Sequence, residues 1–161
     1  MRIKKIIDED FTNYKKTCMF ICTCFCSGKC CIEQNLPISI CQNDGWRKIA
    51  PVEIDNRKII ERYLENSISS AVCFGGLEPF EQFDELLEFI KTLRIDYCCK
   101  DEVIIYTGFN ETEISSQINK LKQFENIIIK FGRFVPNATS VYDQTLGVTL
   151  ISDNQYAKKI S

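Results

Sequence analysis

Four short apolar runs punctuate the chain, and between them apolar residues recur at helical spacing. The runs are Cys18 to Cys22, Ala71 to Phe74, Val103 to Thr107 and Ile127 to Phe131. Each is rich in β-branched or aromatic residues and too short for a buried helix, so each predicts a strand. Three end on glycine: Gly75-Gly76, Gly108 and Gly132. Ile59, Ile60, Tyr63, Leu64 and Ile68 share a helical face, with Asp55 or Asn56 placed to cap it. Phe83, Leu86, Leu87, Ile90 and Leu93 repeat at helical spacing over an acidic opposite face. Asn110 and Glu113 have capping-box spacing ahead of Ile114, Ile118 and Leu121. A further short strand is predicted within Gly147 to Ser152. Strands alternating with helices predict an α/β fold with a parallel sheet and helical crossovers. Ligands bind such sheets at the carboxyl ends of the strands, where these glycines fall.

No repeat or Pro/Gly-rich linker divides the 161 residues, which predicts a single domain over 1–161. The net charge of −2 gives no basic footprint, so no nucleic-acid partner is expected. Charges interrupt the start, Met1 to Glu9, and no apolar run of about 18 residues follows, which predicts a cytoplasmic chain without membrane association.

Two numbers change this ordinary picture: ten cysteines and no histidine. Ser-His-Asp and Cys-His catalysis and every histidine metal site are excluded. Seven of the ten cysteines crowd between Cys18 and Cys41, whereas a disulfide scaffold spreads them out. Cys26 and Cys30 form a C-x3-C pair, and Cys41 follows after ten intervening residues. Paired zinc-ribbon spacings are missing. Soft thiolates without histidine suit an iron–sulfur cluster or zinc. Cys18, Cys22 and Cys73, inside predicted strands, read as small buried hydrophobes. Cys24 and Cys31 stay undecided, because each lies beside a candidate ligand.

Cys26-x3-Cys30 followed by Cys41-Gln42-Asn43 resembles the cluster loop of the radical S-adenosylmethionine (radical SAM) family. Phe74-Gly75-Gly76-Leu77-Glu78-Pro79 resembles that family's Gly-Gly-Glu-Pro motif, here with Leu77 as an extra residue. Val103 to Phe109 followed by Glu111 to Ile114, then Gly132-Arg133-Phe134-Val135 and Asp153-Asn154-Gln155, are similar to one subgroup, the anaerobic ribonucleotide reductase activating proteins. The resemblance runs in order from Cys18 to Tyr156. It departs most in the Cys30–Cys41 gap, which makes Cys31 a competitor for the third ligand position.

The resemblance implies a small partial, open β/α barrel with helices on its outer face. It implies that Cys26, Cys30 and Cys41 hold a 4Fe-4S cluster whose open iron binds S-adenosylmethionine. Gly75, Gly76 and Glu78 would receive the methionine ammonium; Ile40 and Gln42, with Tyr106 and Thr107, would lie near the adenosyl part. No side chain is implied as an acid–base catalyst. The partners implied are a glycyl radical enzyme, the anaerobic ribonucleotide reductase, as protein substrate and an electron donor such as flavodoxin or ferredoxin. Two alternatives remain: a small radical SAM enzyme acting on another peptide or metabolite, and a non-catalytic cysteine-rich iron–sulfur or zinc module.

Overall fold

A computed structural model describes residues 1–161. The four predicted strands form the centre of one seven-stranded sheet. They are β2 (Cys18–Thr23), β4 (Ala71–Gly75), β5 (Glu102–Tyr106) and β6 (Ile127–Phe131), mutually parallel and adjacent in that order. Antiparallel strands that the sequence reading missed complete both sides. β1 (Arg2–Asp10) pairs with β2 and with the short β3 (Val52–Glu53), while β9 (Tyr156–Lys159) pairs with β6. A separate hairpin joins β7 (Val141–Asp143) to β8 (Val148–Leu150), the latter within the stretch expected to hold a strand.

The period-2 alternation of the central strands assigns two different faces. Met19, Ile21, Val72, Phe74, Val103, Ile105, Ile127 and Ile129 point into a core shared with the helices. Those helices are α3 (Asn56–Glu65), α4 (Phe83–Lys91) and α5 (Ser115–Leu121), and all three bury residues in that one core. In α4 the buried residues are Phe83, Leu86, Phe89 and Ile90, each worth about 1.5–3 kcal/mol of apolar burial. Asp55 caps α3 by accepting from the Arg57 amide at 2.8 Å. Glu113 accepts from the Asn110 amide at 2.8 Å, ahead of the 3-10 turn that leads into α5. Leu64 and Ile68 fall outside the buried face and are exposed, Ile68 because α3 has already ended.

The opposite face of the sheet carries Cys18, Phe20, Cys22, Cys73 and Ile104, packed with Tyr14 and with Leu146 and Leu150 from the hairpin region. The mixed α/β fold therefore has helices on one face and a thinner cover on the other. No helix is long and apolar enough to cross a membrane.

Candidate iron–sulfur site

The carboxyl ends of the four parallel strands open into one cavity of about 470 Å³. The chain leaving β2 supplies its thiols. Cys26 precedes the one-turn helix α1 (Lys29–Ile32), which carries Cys30 and Cys31, and Cys41 follows a 3-10 turn at Ile38–Ile40. Cys26, Cys30, Cys31 and Cys41 all line the cavity, and all ten cysteines are free. Cys24 is buried but takes no part in the lining, whereas Cys31 does. Cys18, Cys22 and Cys73 are fully buried within strands.

The cysteine loop is tied to the strand ends by polar contacts. Ser27 donates from its amide and hydroxyl to Glu81, at 2.8 and 2.6 Å. The Glu78 amide donates to the Phe25 carbonyl at 2.7 Å. Arg133, just past β6, pairs with Glu33 and Glu113 and donates to the Gly108 carbonyl at 2.8 Å. Lys29 pairs with the same Glu113 at 2.5 Å. Gln34 bridges the carbonyls of Cys30 and Phe134 at 2.7 and 2.8 Å. Helix α1 is thereby held across the ends of β5 and β6.

Opposite the thiols lies Glu78. Its carboxylate accepts from the Thr107 hydroxyl at 2.7 Å, the Gly108 amide at 2.9 Å and the Phe80 amide at 3.1 Å. Gly108 separates this carboxylate from Cys30: a Cβ there would lie 2.8 Å from the Cys30 sulfur and 3.6 Å from Glu78 Oε2. Gly76 makes the turn at φ 77° and presses on Cys22. Gln42 and Tyr106 also line the cavity, and the Tyr106 hydroxyl donates to the Asn13 carbonyl at 2.6 Å.

Two proposed positions fall elsewhere. Ile40 ends the 3-10 turn with its side chain exposed and outside the cavity lining. Gly75 lies beneath the cavity, where a Cβ would meet the Phe20 ring at 3.1 Å and Tyr106 at 3.2 Å. Sequence reasoning also missed two cations. Lys130, on β6, is buried in the cavity wall and donates to the Gly132 carbonyl at 3.0 Å. Arg47, at the end of helix α2 (Asp44–Arg47), donates to Cys26. A lysine inside the apolar run Ile127 to Phe131 was the available signal for the first; nothing near Arg47 announced the second.

Burial raises the Glu78 carboxyl to about 7, against the pull of its three donors. Burial also lowers Lys130 to about 8, with Cys30 and Glu78 opposing the shift, and pushes the Cys26 thiol up to about 11. For Glu78 the folded protein keeps a proton that the unfolded chain has already released between about pH 4.5 and 7. Stability linked to this group is therefore full below that interval and falls as pH rises through it. Urea denaturation of the iron-free protein should show a loss of about 2 kcal/mol between pH 5 and 7 from this source. The loss should be clearly smaller in Glu78→Gln. Carboxylates held low by cations, such as Glu113 beside Arg133, act below that interval and do not mask it.

No three cysteine, aspartate or glutamate side chains are grouped to hold a single metal ion. Mononuclear zinc needs four donors converging on one centre. A four-iron cluster makes a different demand, since each thiolate takes its own iron. Thiols spread around a cavity, with a glycine leaving space beside one of them, suit the cluster. The family comparison places the protein in the iron–sulfur class. It belongs to the 4Fe-4S single cluster domain family, whose model matches residues 13–156. No curated protein and no solved structure matches the chain.

Proposed function

We propose that this chain is a radical SAM enzyme, with Cys26, Cys30 and Cys41 holding the cluster. The observation that carries the reading is Glu78: a buried carboxylate, one residue beyond a Gly-Gly turn, faces the same cavity as the cluster-loop thiols. A module for electron transfer or assembly alone would use Glu78 only to cap the turn at Pro79–Gln82. Glu78 receives the methionine ammonium, and its charge gains a partner in a site that otherwise penalises it. Thr107 and the Gly108 amide fix the carboxylate's orientation. Gly76 lets the backbone approach the ligand closely. Gln42, Tyr106 and Thr107 border the adenosyl end. The cluster, when bound, supplies one electron that splits the sulfonium of S-adenosylmethionine into methionine and a 5′-deoxyadenosyl radical.

The helices packed on one sheet face support a partial, open barrel within one domain. The substrate we propose is a protein, the anaerobic ribonucleotide reductase, on which a glycyl radical is installed. The reducing electron comes from a flavodoxin- or ferredoxin-type donor. A different peptide or metabolite substrate is the second reading, favoured by the long Cys31–Ile40 segment.

Anaerobic reconstitution with iron and sulfide, reduction by dithionite and assay for 5′-deoxyadenosine test the proposal. A reconstituted cluster that never cleaves S-adenosylmethionine would overturn it. Mixing with the reductase should then give a glycyl-radical EPR signal; 5′-deoxyadenosine without that signal would favour the second reading.

A further inference from the structure

Arg47 reaches from the end of α2 to Cys26 and grips it at two points. Nη1 donates to the Cys26 carbonyl at 2.7 Å, and Nη2 donates to the Cys26 sulfur at 3.1 Å. The Gly28 amide donates to the same sulfur at 3.4 Å. Gly28 stands at φ 79°, and a Cβ there would lie 3.3 Å from Arg47 Nη2 and 3.2 Å from Ile38 Cδ1. A glycine therefore leaves the guanidinium room to sit on the sulfur. The Arg47 Nε is buried without a hydrogen-bond partner, so this guanidinium is committed to Cys26 at the cost of one unsatisfied donor. Arg47 is thus the cation hydrogen-bonded to Cys26, opposed at longer range by the carboxylates of Glu78 and Glu81.

A hydrogen bond to a ligating sulfur, and above all one from a fixed cation, stabilises the more negative state of an iron–sulfur centre. Reduction takes [4Fe-4S]²⁺ to [4Fe-4S]⁺ with one electron from a low-potential one-electron donor, and no proton need move. We propose that Arg47 tunes the cluster's reduction potential through its hydrogen bond to the Cys26 sulfur, bringing the reduced state within reach of the donor. This rests on the reading of Cys26 as a cluster ligand. Arg47 touches neither substrate nor reacting atoms, so it is a positioning and tuning residue.

The test is an EPR-monitored redox titration of the reconstituted full-length protein, with dithionite as reductant. Arg47→Gln and Arg47→Met remove the charge, and Arg47→Lys keeps it. The first two should reduce the equilibrium constant for reduction about tenfold, a midpoint about 59 mV more negative. Arg47→Lys should move less than half as far. Parent-like midpoints in the charge-removing variants would overturn the proposal. So would a shift in Arg47→Lys as large as theirs, or loss of the cluster from all three at parent-like circular dichroism. A Cys26→Ala protein that keeps the parent cluster spectrum would instead overturn the ligand reading itself. That pattern is distinct from a failure of Arg47 alone.

Discussion

Cys26→Ala, Cys30→Ala and Cys41→Ala are each expected to fold, to retain less iron and sulfide after reconstitution, and to cleave S-adenosylmethionine only at background. None of the three thiols is part of either apolar core, so their removal leaves the sheet and its helical layer intact. What is lost is a soft ligand that no histidine in the chain can replace. Cys73→Ala is the internal control: its sulfur is fully buried in β4, away from the cavity, and activity should persist despite a stability cost of about 1 kcal/mol. Cys31→Ala decides the third position. Because Cys31 also lines the cavity, an inactive Cys31→Ala beside an active Cys41→Ala would transfer that ligand from Cys41 to Cys31. Iron and sulfide content, the visible absorption of the cluster and 5′-deoxyadenosine formation measure the outcome together.

Gly76→Ala is expected to be the most damaging single-methyl addition in the chain. Its φ of 77° costs an L-residue about 1–2 kcal/mol. The added Cβ would also sit 2.3 Å from the Cys22 sulfur and 3.2 Å from its Cβ, on a fully buried strand residue that has nowhere to retreat. Forcing that contact apart adds about 1–3 kcal/mol of overpacking strain. A stability loss of about 3 kcal/mol or more should appear in urea denaturation of the iron-free protein. The turn also aims Glu78, so binding of S-adenosylmethionine by any reconstituted fraction should fall as well. Gly45→Ala is the matched control, since a Cβ there meets nothing within 4 Å. Equal stability of the two variants would refute the argument.

The central strands were legible because their surroundings are apolar on both faces, and such strands read as continuous runs. β1 was not. In Arg2–Asp10 only Ile3 and Asp10 are buried, and the charged residues between them hide the alternation. β9 is mostly exposed Tyr156–Lys159, held by pairing to β6 rather than by burial, and pairing leaves little trace in a single sequence. Within the site, Cys26 and Cys30 stand out as a C-x3-C pair, while Cys41 and Glu78 are singled out by their resemblance to the cluster loop and to the Gly-Gly-Glu-Pro motif. Ile40 was chosen for its adjacency to Cys41, but the 3-10 turn carries neighbouring side chains in different directions. Lys130 reaches the cavity from β6, far along the chain, and Arg47 reaches the Cys26 sulfur from α2. Only folding brings either cation to the cysteine loop.

The burial of Cys18, Cys22 and Cys73 also has a bearing on assembly order. An unfolded chain offers ten equivalent thiols to iron, and many wrong combinations are within reach of a flexible loop. Once the sheet has closed, these three have no exposed surface, and the thiols left facing the opening are those of the loop after β2. Folding of the sheet ahead of metal binding would thus act as a sieve that removes competitors. A cluster delivered to the finished fold meets a short choice of ligands, whereas one offered during synthesis would meet them all.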